Sequence, residues 1–538
     1  DARLVYTLDS SNSMIDLPRF YFQGNNQTSL LSGQNALTPT QLINQAENNT
    51  GGSTTGDNFS NQYVIRHRFE TPGRTISVNI GASYNHKQGT SSLQSLAEYY
   101  QGQANLNDTV DQHSDLLTNT SSLSARLAYT EPVGMFSMLQ LTYNPSISYS
   151  TSDNRKFNLN PSIGEYTSLD TSLTNSFNNT STAQNAGIGF LMRRSGFNLM
   201  ANVAYQISTL QGNQSFPVST TVDRSFYNIL PSFNMNYVVS DHSNWRVFFR
   251  TSTRAPAINQ LQNVVDNSNP LVLTTGNPDL QQSYNSTLVS RYSITDASKA
   301  QSFFFLVSFQ STNNYIANST ITAARDTVLQ GGVLMQQGTQ LVVPVNLNGS
   351  WTTNTFLTYS LPVTLFRSIL NLSSGFSYSH TPGLVNYYEN FANTSTVTAG
   401  SVLSSNISED VDFTLSYTGN YNIARNTLDQ SLNSNYYSHV ASLKLNLIFW
   451  QGVVFRNEVS NTFTNGLSAG YDQNIVLWNI SLGKKFFKDD RGELRLTATD
   501  ILNQNKSINR TVTDTYIQDT QNSVLGQYVI LMFTYTVR

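Results

Sequence analysis

Three arginines, Arg246, Arg250 and Arg254, recur at every fourth position of the segment Trp245 to Pro256, with Trp245, Val247 and Phe249 at odd positions between them. In an extended chain successive side chains point to opposite faces, so this spacing sends the three guanidinium groups one way and the bulky apolar groups the other. Guanidinium groups hold carboxylates and other anions through paired, charge-assisted hydrogen bonds. The chemistry open to such a ladder is therefore binding, either of acidic groups on a neighbouring domain or of an anionic solute. Its alternative use is plain charge balance against acids such as Asp412 and Glu458. Lys444, Arg456, Glu458 and Asp412 lie on the polar side of their own alternating segments and are further candidates of the same kind.

Catalytic chemistry finds little to build on. The six histidines, His67, His86, His113, His242, His380 and His439, are scattered, with no His-x-x-x-His pair and no His-Glu-x-x-His, so no metal site is expected. Cysteine is absent, which excludes disulfides and thiolate sites, and no Gly-x-Ser-x-Gly elbow occurs. The chain is expected to be neither an enzyme nor dependent on a cofactor. A net charge of −3 without a basic, aromatic-rich cluster gives no reason to expect a nucleic-acid partner.

The elements that would position the charged residues are strands. Only 12% of the 538 residues are charged, while Tyr (28) and Phe (29) far outnumber Trp (4), and the polar mass is Asn, Ser, Thr and Gln. No run of about eighteen apolar residues exists, so a helical membrane span is excluded and only a closed barrel could cross a bilayer. A mean hydropathy of −0.30 is compatible with that, because only alternate barrel residues meet lipid. Alternation with period two runs from end to end. It predicts Val411, Phe413, Leu415, Leu443, Leu445, Leu447, Val476, Trp478 and Ile480 on the lipid face, and Asp410, Asp412, Lys444, Asn446, Arg456 and Glu458 in the lumen.

Short and long links also take turns. Short ones lie near Ser10 to Ser13, Pro72 to Arg74, Glu131 to Gly134, Arg194 to Gly196, Ser240 to Asn244, Thr295 to Lys299, Leu361 to Thr364, Ser408 to Asp410, Trp450 to Gly452 and Lys488 to Gly492. Between them come Asn/Ser/Thr/Gly-rich stretches, which predicts short periplasmic turns and long surface loops, the latter including residues 25–59, 90–115, 153–181 and 255–280. The fold class expected is an all-β transmembrane antiparallel barrel spanning residues 1–538, with about 21 strands visible. Because bacterial single-chain barrels carry an even number of strands, a further strand is expected upstream of Asp1, giving about 22. Neither Met nor a signal sequence opens the chain, so a processed or truncated product is expected.

Leu230-Pro231-Ser232-Phe233, Thr253-Arg254-Ala255-Pro256 and Thr275-Gly276-Asn277-Pro278-Asp279-Leu280 give the chain its family look: it resembles TonB-dependent receptors. Ala255 to Asn269 and Tyr6-Thr7-Leu8-Asp9-Ser10-Ser11-Asn12-Ser13 are similar to the outer-membrane β-barrel family of such receptors in Bacteroidota. The aromatic-rich segment Tyr528 to Arg538 looks like a terminal insertion signal, although it ends in Val537-Arg538 rather than an aromatic residue. The resemblance implies import of a scarce nutrient across the outer membrane of a Gram-negative bacterium. It implies as partners outer-membrane lipid, a plug domain encoded upstream, TonB and a surface lipoprotein. A scaffold barrel for surface lipoproteins or a secretion machine is one alternative function, and a passive porin another. Asp108-Thr109-Val110 and Asp326-Thr327-Val328 resemble the O-glycosylation signal of the same bacteria, with Thr109 and Thr327 as acceptors.

Overall fold

The computed structural model of the chain describes residues 2–38, 41–101, 104–171, 173–216, 219–329, 332–364, 367–405, 408, 410–467, 470–512, 517–522 and 524–536. Val537 and Arg538, the departure from the expected terminal aromatic, lie outside them. The alternation read from the sequence becomes one antiparallel sheet in which consecutive long strands are neighbours. The strands are β1 (Leu4–Thr7), β2 (Asn12–Asp16, continuing as Arg19–Thr38), β3 (Gln41–Arg68), β4 (Thr75–Gln101), β5 (Ala104–Gly134), β6 (Ser137–Asn160) and β7 (Asn175–Arg194). Then come β8 (Phe197–Phe216), β9 (Thr220–Ser240), β10 (Ser243–Arg254), β11 (Ser283–Asp296), β12 (Gln301–Asn313), β13 (Ser350–Val363) and β14 (Ser368–Val385). The last are β15 (Tyr388–Ser405), β16 (Val411–Asn426), β17 (Ser434–Phe449), β18 (Val453–Asn465), β19 (Gln473–Phe486), β20 (Gly492–Thr499) and β21 (Tyr528–Tyr535). Each pairs antiparallel with the next. Among the described residues β1 pairs only with β2, and β21 only with β20.

The register carries the two faces across every pairing. On one, Val411, Phe413 and Leu415 stand opposite Leu447, Leu445 and Leu443, and Leu443 opposite Val459, which in turn faces Trp478. Leu415 and Leu443 are exposed, as the lipid-facing residues of a membrane barrel must be. On the other face Asp412 stands opposite Asn446, and Lys444 opposite Glu458. Turning charge inward follows from its cost outside, about 2–4 kcal/mol for an arginine or lysine at the bilayer midplane. The lone polar intrusion in this part of the lipid row, Asn457, accepts a hydrogen bond from the Trp478 indole at 2.7 Å.

All ten short turns gather at one end, where Arg74 closes a bidentate pair with Glu131 (2.8 and 2.6 Å). In the turn between β11 and β12 the Asp296 carboxylate accepts from the Ser298 hydroxyl and the amides of Ser298 and Lys299. Those bonds, with the Lys299 charge, hold it at about 2.

At the other end the structure corrects two expectations. Residues 25–59, 90–115 and 153–181 are not irregular loops for most of their length, since β2 with β3 and β4 with β5 stay paired nearly to their tips. Beyond the bilayer neither face of a hairpin meets lipid; one is open to water, and the other, where it is buried at Asn44, Ala46 and Asn48, is polar or small, so the alternation disappears while the pairing persists. Thr109 accordingly sits exposed on β5 rather than in a loop. Residues 255–280 are no surface link either, because they fold back into the barrel mouth.

Candidate functional site

Arg246, Arg250 and Arg254 stand on the lumen face of β10, and the strand register adds further cations to that wall. Arg291 on β11 lies directly opposite Arg246. Arg126 shares the face through Asn79, and Arg19 through Ser60. Arg66 and Arg193 follow on β3 and β7. Among the described residues none of the eight has a carboxylate partner. Arg246 donates to Asn236 Oδ1 (3.2 Å), and Arg291 lies over the Phe304 ring, 4.8 Å from its centre. The acids proposed to balance the ladder, Asp412 and Glu458, lie on β16 and β18 and do not reach it. Two like charges opposite each other on adjacent strands destabilise the sheet, so the Arg246–Arg291 pair is costly unless an anion comes between.

Asp412, Lys444, Arg456 and Glu458 come together with Asn446, Asn479 and Arg495 around a lumen cavity of about 580 Å³ near the short-turn end. Here Lys444, Arg456 and Glu458 are matched. Lys444 pairs with Glu458 at 2.8 Å, and Arg456 grips Glu493 with both nitrogens at 2.7 and 3.2 Å. Sequence reading missed Glu493 and Arg495, although their alternation with Leu494 and Leu496 carried the signal. The lumen is thus electrostatically two-sided, with the eight arginines that lack a carboxylate on β2 to β11 and ion pairs between β17, β18 and β20.

At the mouth opposite the short turns, on the side of β3 to β14, lies a lid. Between β10 and β11 the chain makes one helical turn, Ile258–Leu261, and a short strand, Val272–Thr274. Between β12 and β13, Tyr315–Thr322 and Gln340–Leu347 form a hairpin, and Val272–Thr274 joins it in parallel alongside Gln340. Asn277 Nδ2 donates to Pro344 O (3.0 Å), and the Gln281 amide to Asn346 Oδ1 (2.7 Å), which locks the two segments into one unit.

That unit packs across the lumen. Leu271 is buried with Ala46, Ala97 and Tyr99 of β3 and β4. Val265 and Leu273 are buried with Leu173, Ala323 and Met335, and Leu261 and Leu280 with Leu210 of β8. Burying side chains of this size contributes about 1.5–3 kcal/mol each, which is why an Asn/Ser-rich stretch that looks like a loop is held inside.

The segment Thr275 to Leu280 has a structural role in this lid. A side chain on Gly276 would meet Gln262 O at 2.2 Å and Asn259 O at 2.8 Å, so only glycine lets the strand lie against the helical turn. Its amide donates to Gln262 O (2.8 Å). Asp279 pairs with Arg224 (2.9 Å), and Leu280 is almost fully buried.

Beneath the lid lies a chamber of about 700 Å³ against the walls of β2 to β7, lined by polar uncharged residues such as Gln112, Ser114 and Gln262 and by one ion pair. Lys156 Nζ reaches Asp266 Oδ1 at 3.2 Å and Asn267 Oδ1 at 3.3 Å, tying the lid to β6. Crowding alone would raise the Asp266 carboxyl, but Lys156 and hydrogen bonds from Ser268 outweigh it and hold the group below its ordinary 3.8.

A carboxyl depressed in the closed state favours closure above its ordinary value and loses that contribution as pH falls through the depressed one. We therefore expect amide hydrogen exchange in residues 258–276 to quicken as pH drops below about 3.8, beyond the intrinsic pH effect, and Asp266→Asn to abolish the excess. The change is modest, since the Asp266 side chain is half-exposed and screened.

Thr327 is exposed on a two-residue strand, its hydroxyl donating to Arg325 O (3.0 Å), while Asp326 accepts from the Gln337 amide (2.9 Å). Among the described residues no group of three or more His, Asp or Glu side chains gathers as metal ligands would.

Residues 67–448 and 385–535 match the family model described as the outer membrane protein beta-barrel family. Comparison with curated proteins gives no match. Among solved structures, a double mutant of the Serratia marcescens hemophore receptor HasR, in complex with its hemophore HasA and heme, is 10% identical. That match covers 97% of this chain and 78% of that one, with a TM-score of 0.43. The siderophore receptor PirA from Pseudomonas aeruginosa is 11% identical over 99% of this chain and 79% of that one, with a TM-score of 0.38. The ferric citrate transporter FecA in its unliganded form is 10% identical over 97% and 76%, with a TM-score of 0.42.

Proposed function

From the premise that the chain belongs to the outer membrane protein β-barrel family, and so sits in the outer membrane of a Gram-negative bacterium, we propose that it is the barrel of a TonB-dependent receptor that imports a scarce nutrient. The observation that carries this reading is the lumen wall of β2 to β11, where arginines without acidic partners face the interior. Guanidinium groups crowded by a lumen filling would lose solvation without compensation unless that filling brings anions. A plug domain encoded upstream, with carboxylates or carbonyls turned toward Arg246, Arg250 and Arg254, meets the requirement. TonB then supplies the pull that moves it. A surface lipoprotein over the lid, a Bacteroidota source and glycans on Thr109 and Thr327 belong to the same proposal.

In the full-length protein Arg250→Ala loosens the plug. A charge-assisted hydrogen bond contributes about 1.5–3 kcal/mol, so the displaced fraction rises roughly tenfold or more. The rise is read as entry of a large hydrophilic antibiotic or as new conductance, with barrel assembly unchanged. Unchanged permeability, with all three arginines bound only to barrel groups in the full-length protein, returns them to simple charge balance. A large steady conductance in the unmodified full-length protein makes it a porin, and normal nutrient uptake on deletion together with stable co-purifying lipoproteins makes it a scaffold.

A further inference from the structure

Three strands carry the same tripeptide pattern on the outward face: Tyr84-Asn85-His86, Tyr378-Ser379-His380 and Tyr437-Ser438-His439. Each histidine meets an asparagine of the next strand. His86 Nδ1 lies 2.6 Å from Asn119 Oδ1, His380 Nδ1 2.6 Å from Asn393 Oδ1, and His439 Nε2 3.2 Å from Asn461 Oδ1. In the first two, the tyrosine hydroxyl donates to the same amide oxygen, at 3.2 and 2.9 Å.

The three sites share one height. His86 is eleven residues along β4 from Thr75, His380 twelve along β14 from Ser368, and His439 ten along β17 from Phe449. A tilted membrane strand needs about 9–11 residues to cross. Below these rows the outward face is apolar (Ile76, Val78 and Ile80 on β4; Leu443, Leu445 and Leu447 on β17), and above His86 it turns to Gln88, Thr90 and Ser92. The rows therefore lie at the headgroup level of the leaflet farther from the short turns.

One row has a cation added to it. Asn393 stands in register with Arg425 of β16, so His380, Asn393 and Arg425 occupy three adjacent strands on one face, the outer two roughly 10 Å apart. Arg425 spends only its NH1 group on the chain, donating to Ala424 O (2.7 Å), Ser434 O (3.3 Å) and Asn435 Oδ1 (2.8 Å). Its Nε and NH2 have no partner among the described residues. Because an amide oxygen only accepts, His380 donates through Nδ1, which leaves Nε2 to accept a hydrogen bond, such as one from the hydroxyl of a singly protonated phosphate monoester. Phe391 stacks on His380 (4.5 Å), and Trp351 stacks on Tyr378 (4.8 Å), forming an apolar shelf beside the polar groups.

We propose that Arg425 and His380, with the Trp351–Tyr378–Phe391 shelf beside them, bind the phosphate headgroup of an anionic outer-leaflet lipid. A guanidinium with two free donors matches a phosphate monoester, and aromatic rings are the usual neighbours of the acyl–headgroup boundary. The inference needs the barrel's orientation in the membrane and is independent of transport.

Trp351 reports on it. In the full-length protein with Trp245, Trp450 and Trp478 changed to Phe, reconstituted in phosphatidylcholine vesicles, a small share of acyl-brominated phosphatidate quenches Trp351 more than the same share of brominated phosphatidylcholine. The double variant Arg425→Gln with His380→Gln loses the preference by about tenfold or more, the weight of one charge-assisted contact. Arg425→Lys alone keeps part of it, and unchanged heat-modifiable migration certifies each barrel as folded. Equal quenching by both lipids, or a preference that survives the double variant, overturns the proposal. Abolition of the preference by millimolar inorganic phosphate reduces the site to a free-anion site and overturns the lipid assignment.

Discussion

Leu443→Arg should destabilise the barrel by about 2–4 kcal/mol, whereas Ser442→Arg, one residue away, should leave stability nearly unchanged. Leu443 lies six residues from the end of β17 at Phe449, close to mid-bilayer, in a row with Leu415, Val459 and Trp478. A guanidinium there must drag water or headgroups into hydrocarbon. Ser442 stands on the lumen face, its hydroxyl 2.7 Å from that of Ser416, so an arginine in its place gives up one hydroxyl contact and gains a hydrated position. The measurement is the midpoint of denaturant unfolding in lipid vesicles, followed by heat-modifiable migration. Equal losses for both variants, or a larger loss for Ser442→Arg, would invert the assignment of faces on β17 and, through the register, on every strand paired to it.

That experiment probes what the sequence made most legible. Wherever one face meets lipid, the pattern of Leu445, Lys444, Asn446 and Leu447 is forced by the cost of misplaced charge, and strand and facing could be read together. Legibility fails where that constraint lapses. Beyond the bilayer the residues between Gly24 and Ser60 look like loop because neither side of the β2–β3 hairpin meets lipid, and the buried positions Asn44, Ala46 and Asn48 are polar or small. The charge on Arg291 was visible, but its position opposite Arg246 depends on how Ala255 to Gln282 return to the sheet, which no local pattern encodes.

The lid was illegible for the same reason. Leu271 finds Ala97 more than 170 residues away, and Lys156 finds Asp266 at a separation of 110. Composition marks such a segment as polar, and only tertiary contact shows its few apolar residues converging. The Gly-Asn-Pro-Asp-Leu stretch carries the family resemblance, and the close approach of Gly276 to Gln262 is the physical reason for its glycine.

We expect the lid to open. It buries apolar side chains, but it also traps polar atoms that find no protein partner: both side-chain atoms of Asn44, the hydroxyl of Thr320, and Gln262 Nε2. Each such group costs about 1–3 kcal/mol when shut away from water, so hydration on opening offsets much of the lost apolar burial and the closed state is held by a small difference. A cysteine at Ser114, which lines the chamber beneath the lid, should therefore react slowly with an impermeant maleimide on intact cells, at a rate set by opening. The chain has no native cysteine to compete. Gly276→Val in that background should raise the rate roughly tenfold or more, because overpacking costs about 1–3 kcal/mol and the added Cβ would sit 2.2 Å from Gln262 O. The barrel should be spared, since Gly276 touches only the lid. A Ser114→Cys site that labels at the speed of an exposed thiol with or without Gly276→Val would mean that the lid does not close the mouth. One that never labels in either background would mean that it does not open.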